Sequence, residues 1–176
     1  IASGNETAAL TAFTATLTRA TSVTLTAADS TWSVADSALT TALADGVFFA
    51  GVLTVTGIAN GSEASALTAF TAPLTGATSV TLTAADGTWS VATADLATAL
   101  TADVRFAGAL TVTGIANGNE AAALTAYTSA TTGATRVTLT ATDGTWSVAT
   151  ADLATALTAG VRFAGALTVT GIAKWQ

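Results

Sequence analysis

Ile1-Ala2-Ser3-Gly4-Asn5-Glu6 returns as Ile58-Ala59-Asn60-Gly61-Ser62-Glu63 and again as Ile115-Ala116-Asn117-Gly118-Asn119-Glu120, so the 176-residue chain is three tandem copies with a period of 58 − 1 = 57 residues. The copies are residues 1–57, 58–114 and 115–171, and residues 172–176 begin a further copy or form a C-terminal tail. Self-similarity of this kind restricts the fold to architectures in which each unit packs mainly on its neighbours, with function residing in the surface and length of the stack. The first copy diverges most: Ser30 stands for Gly87, Asp36-Ser37-Ala38 for Thr93-Ala94-Asp95 and Phe48 for Arg105, the drift expected of a terminal, capping unit. A unit of 57 residues is close to the lower limit for an independent core, and there is no Cys to staple it. Neighbouring copies are therefore expected to share buried surface.

Apolar residues make up 51% of the chain and charged residues only 9%, which excludes disorder and leaves Thr and Ser to supply the polar surface. A net charge of −6 with only Arg19, Arg105, Arg136, Arg162 and Lys174 as cations argues against nucleic acid and anionic membrane surfaces as partners. The longest apolar run, Val47 to Leu53, falls far short of the roughly 18 residues that span a bilayer. The joint absence of Cys, Met and His points to an oxidation-tolerant extracellular product, while zero Cys leaves the redox compartment open.

Within the second copy, Thr78-Ser79-Val80-Thr81-Leu82-Thr83-Ala84 alternates apolar and hydroxyl side chains with period two, predicting a strand with Val80 and Leu82 inward. Asp86-Gly87 is a hairpin-turn dipeptide, and Thr88-Trp89-Ser90-Val91 resumes the alternation, so a β-hairpin is expected. Trp89 recurs as Trp32 and Trp146, making these three indoles the core anchors of their copies. Thr93 to Leu100 predicts a short helical turn, with Thr93 as a cap and Asp95 near its N-terminus. Val104 to Ile115 is extended again, with Leu110 and Val112 on one face, Thr111 and Thr113 on the other, and Gly108 at a bulge or a close backbone approach. Asn117 to Glu120 reads as a turn, Ala123 to Thr128 as a strand on its Thr content, and Pro73 as an edge or loop residue.

Asp86-Gly87-Thr88-Trp89-Ser90-Val91, followed by Ala94-Asp95-Leu96-Ala97-Thr98-Ala99-Leu100 and by Leu110-Thr111-Val112-Thr113, resembles the bacterial Ig-like repeats of large surface adhesins and biofilm-associated proteins. That resemblance covers most of each copy and implies an all-β fold of Ig-like β-sandwich repeats, secretion, and a role in adhesion or extracellular matrix. At 57 residues there is room for about four or five strands, so the expectation is a compact sandwich completed by strands shared across the junctions. Since 57 = 3 × 19, a β-solenoid of three coils per copy is the alternative.

Without His or Cys, neither a Ser-His-Asp nor a Cys-His arrangement can form, and the chain is expected not to be an enzyme and to need no cofactor. Of the acids, Glu6, Glu63 and Glu120 recur in one position, and Asp29, Asp86 and Asp143 in a turn position that favours Asp for its geometry. Asn60, Glu63 and Asp103 are candidate oxygen ligands for calcium at a joint between copies, although no dense ligand loop is present. Arg105 and Arg162 are expected to pair with Asp95 or Asp152, or to snorkel as edge residues, in preference to binding a ligand. Thr54 and Thr56, Thr111 and Thr113, and Thr168 and Thr170 belong to Thr-x-Thr pairs that alternate with Val or Leu and so form hydroxyl ladders on an outer face. These observations predict an extracellular structural array, a rod, stalk or filament that self-associates; a ligand-binding or ice-binding module using the Thr ladders is the alternative.

Overall fold

The computed structural model describes residues 1, 2 and 4–172; residues 173–176, the rest of the expected tail or further copy, lie outside it. In the first copy, helices α1 (Glu6–Ala12) and α2 (Ala15–Thr18) precede strand β1 (Val23–Ala35), helix α3 (Asp36–Ala44) and strand β2 (Val47–Ile58). The second copy repeats this as α4 (Glu63–Ala69), α5 (Ala72–Thr75), β3 (Ser79–Ala92), α6 (Thr93–Thr101) and β4 (Val104–Ile115). The third follows with α7 (Glu120–Ala126), α8 (Ser129–Thr132), β5 (Arg136–Ala149), α9 (Thr150–Thr158) and β6 (Val161–Thr170). The strands form a six-stranded sheet in the order β1-β2-β3-β4-β5-β6. β1·β2, β2·β3, β4·β5 and β5·β6 all pair in parallel. Parallel neighbours need a crossover of about a dozen residues, and the helices supply it.

This α/β architecture overturns the all-β expectation, both the Ig-like sandwich and the β-solenoid. Each copy holds two long strands where four or five short ones were expected. The decisive element is the Asp-Gly dipeptide. A type I′ hairpin needs positive φ at both central residues, but here only the second has it: Ser30 at 59°, Gly87 at 74° and Gly144 at 72°. The chain consequently bulges and continues in its original direction. In the first copy β1 advances from Thr26 to Thr31 while β2 advances only from Ala50 to Val52, five residues against two. Gly51, Gly108 and Gly165 face the bulges, and a Cβ on Gly108 would overlap the Gly87 carbonyl oxygen. This is the close backbone approach that an isolated Gly in a strand signals.

Two further expectations fail for reasons of local energetics. Ala123 to Thr128, read as strand, mostly belongs to helix α7, where four Ala and a Leu outweigh one Thr. The Thr hydroxyl is accommodated by bonding back to its own helix, Thr125 Oγ1 donating to the Ala122 carbonyl at 3.0 Å. Thr40, Thr98 and Thr155 donate four residues back in the same way. Pro73 lies in the first turn of α5, where its missing N–H has no helical partner to lose.

The fold comprises two compact units, one of Ile1–Asp86 with Ala99–Arg105, the other of Gly87–Thr98 with the chain from Phe106 onward. Each contains one joint between copies. In the first unit Leu53 pairs with Val80, Thr54 with Thr81 and Val55 with Leu82. In the second Leu110 pairs with Val137, Thr111 with Thr138 and Val112 with Leu139. The core is laid down by alternation: Leu53, Val55, Val80, Leu82, Trp89 and Val91 are buried on one face of their strands, together with helix residues such as Leu39 and Leu96. The other face carries Thr and Ser.

Candidate functional site

The three indoles are buried and each meets a Phe of the neighbouring strand: Trp32 with Phe49 and Trp89 with Phe106 at 5.3 Å between ring centres, Trp146 with Phe163 at 5.1 Å. Their spacing follows from the bulge, which sets the Trp two strand positions after the turn and on the inward side. Trp146 Nε1 donates to the Ala164 carbonyl at 3.2 Å, whereas Trp32 Nε1 and Trp89 Nε1 are buried without a hydrogen-bond partner.

The acids singled out from sequence are engaged in turns and clips. Asn60 Nδ2 donates to Asp86 Oδ2 at 2.7 Å, and one period later Asn117 Nδ2 donates to Asp143 Oδ2 at 2.8 Å. Glu63 accepts from the Gly61 N–H and Glu120 from the Gly118 N–H, both at 2.6 Å, satisfying a donor just ahead of a helix. Asp143 also accepts from the Thr145 N–H at 2.9 Å. That bond first, then the Thr145 hydroxyl and Asn117, holds its carboxyl below the usual carboxylate range. Of the three calcium candidates, Asn60 and Glu63 share the turn that follows β2, while Asp103 precedes β4 and lies 3.9 Å from Arg105 Nη2. Because the strands are parallel, those are opposite ends of the sheet, and the set does not converge. Among the described residues no group of three or more His, Cys, Asp or Glu side chains comes together as a cation site would require. Arg105 thus pairs with Asp103, not with the expected Asp95, and its Nη1 donates to the carbonyls of Leu100 and Val104. In the third copy Gly160 replaces Asp103, and Arg162 retains the equivalent carbonyl bonds to Leu157 and Val161.

The six ladder threonines lie where alternation placed them, on the face opposite the Trp layer, and they divide into two kinds. Thr56, Thr113 and Thr170 donate across to the carbonyls of Val34, Val91 and Val148 at 3.4 to 3.5 Å. Thr54, Thr111 and Thr168 stand in hydroxyl rows: Ser33, Thr54 and Thr81 in register in one unit, Thr111 with Thr138 and Ser147 with Thr168 in the other. Neighbouring hydroxyls in such a row are about 4.8 Å apart. Thr93, expected to cap α6, instead donates to the Thr113 carbonyl at 2.8 Å, and Thr150 to that of Thr170 at 2.9 Å, so each helix start is tied to the end of the next strand. Sequence reasoning missed both this tie and the Asn-Asp clip. Their signal was present in the recurrence of Asn60 and Asp86 one period on, 26 residues apart each time.

A concavity of about 580 Å³ opens among the helices of the first copy and is lined by Leu10, Leu17, Ala42, threonines and the charged Asp45. It has no convergent polar set of the kind that orients a substrate. Among the described residues no helix is long and apolar enough to cross a membrane. No protein-family model, curated protein or solved structure matches the chain.

Proposed function

We propose that the chain is a non-catalytic structural array, a segment of a bacterial surface rod, stalk or matrix filament whose copies act as mechanical units. One observation carries this reading: the same Trp-Phe pair, the same Asn-Asp clip and the same parallel joint recur at the period of the sequence. The low charge and the lack of Cys, Met and His suit an extracellular setting, in which exposed reactive side chains are a liability. Small-angle scattering on chains of three, four and five copies tests it. The maximum dimension should grow by a constant increment per copy; a particle whose length does not follow copy number is no rod.

A second reading has its own observation, the hydroxyl rows through Thr54, Thr111 and Thr168, which offer a regular donor and acceptor lattice to ice or a glycan. Replacing Thr111 and Thr168 by Lys separates the two. A scaffold loses no more than about 0.5 kcal/mol at each such surface position, whereas a binder loses thermal hysteresis or glycan retention.

A further inference from the structure

The chain has four asparagines, and the two that precede a glycine, Asn60 and Asn117, are the two that form the clips. The geometry points to these turns as sites of self-modification, at which the asparagine loses ammonia to become an aspartyl residue and the clip opens. Such a side chain is attacked by the backbone nitrogen that follows it, and a glycine there leaves that nitrogen unhindered and its backbone free to reach unusual angles. Both turns are exposed, and a Cβ on Gly61 or Gly118 would meet nothing within 4 Å, so solvent reaches the reacting atoms. The attacking nitrogen is already engaged. Glu63 Oε2 accepts from the Gly61 N–H at 2.6 Å and Glu120 Oε2 from the Gly118 N–H at 2.6 Å, each carboxylate resting on the proton that the attack must shed.

The bonds balance with water as the only co-reactant. Gly61 N joins Asn60 Cγ as its proton passes to Glu63; the Cγ–Nδ2 bond breaks, and the amide nitrogen takes up that proton, directly or through solvent, and leaves as ammonia. Water then opens the cyclic imide. Attack at Cγ yields aspartate, and attack at the main-chain carbonyl carbon yields an isoaspartyl link, in which the backbone runs through the former side chain. Either product replaces the amide with a carboxylate. The donor that Asp86 Oδ2 holds at 2.7 Å is lost, and like charges stand where a hydrogen bond stood. The loop ahead of α4 is thereby released from the bulge of β3, and the same chemistry at Asn117 removes the donor that Asp143 holds at 2.8 Å. The first copy is exempt, since Ser3 occupies the sequence position of Asn60 and Asn117.

Peptide mapping by mass of the full chain, aged warm at mildly alkaline pH, tests the assignment. Asn60 and Asn117 should convert to a mixture of aspartyl and isoaspartyl forms, while Asn5 and Asn119, each followed by Glu, convert at least about tenfold more slowly. Glu63→Gln should slow Asn60 by at least about tenfold, with Asn117 in the same molecule as the unchanged reference. Asn60→Asp, which makes the product directly, should lower the thermal midpoint by about 2 to 4 °C. Adding Asp86→Asn to it should recover most of that loss, because donor and acceptor are then exchanged across the clip. A folded chain whose Asn60 and Asn117 stay intact while the same residues convert in peptides cut from it overturns the proposal. So does conversion at Asn60 that is indifferent to Glu63→Gln, or an Asn60→Asp chain as stable as the parent.

Discussion

Truncating Trp89 to Ala removes a fully buried indole and its edge contact with Phe106, and should cost about 3 to 5 kcal/mol, read as a fall in the urea midpoint with an unchanged slope. Trp89→Phe should cost much less than the Ala change, because it keeps most of the volume and deletes a buried N–H that has no partner. Were the two substitutions equally damaging, the indole N–H would be doing something that the packing does not show. Asp143 supplies the pH dependence. Its carboxyl is held low in the folded chain, so its stabilising contribution is complete above the ordinary carboxylate pKa and is lost as pH falls through the folded value. The stability gap between the parent and Asp143→Ala should therefore be widest near about pH 6 and close towards about pH 2 in chemical denaturation. A gap that widens in acid contradicts the clip.

The bulge is the element on which the fold turns, and its two glycines are not equivalent. Gly108→Ala drives a Cβ into the Gly87 carbonyl at a backbone angle that side chains rarely adopt, and should cost at least about 2 kcal/mol. At Gly87 nothing approaches a new Cβ, and Ser30 already occupies the equivalent place, so Gly87→Ala should cost only about 1 kcal/mol. Thermal denaturation of the two variants side by side checks the order. These elements also show what was legible in the sequence. Period-two alternation located Val80, Leu82, Trp89, Val91, Leu110 and Val112 on the buried face and the threonines opposite, because alternation reports burial of one strand face whatever the strand pairs with. It says nothing of the partner's direction. Asp-Gly reads as a reversal only when both central residues reach positive φ, and that is fixed by the neighbouring strand pressing Gly108 against the bulge, a contact remote in sequence. Helix α7 was hidden by its Thr, although Ala content alone pointed to helix. The Asn60-Asp86 clip was hidden because it joins a loop to a strand bulge 26 residues further along the same copy.

At the scale of the whole chain, stability should be a sum over copies and joints, and the joints should dominate. A single copy contributes only two strands, and a two-stranded sheet by itself is marginal. Excising residues 58–114 leaves Val80 and Leu82 without Leu53 and Val55 on one side, and Leu110 and Val112 without Val137 and Leu139 on the other. All eight are buried in the intact chain, so the fragment exposes the apolar edges that the repeat exists to cover. It should be unfolded, or soluble only as an associated species. Appending a second copy of residues 58–114 after residue 171 does the reverse, since it covers Leu167 and adds one joint for one unit of chain entropy. Denaturant midpoints for chains of one to four copies should rise steeply at first and then level off, while the slope keeps increasing with length. A monomeric single copy that melts sharply near the temperature of the three-copy chain would show that each unit holds its own core, and the shared joint would then be an adornment of the fold and not its cause.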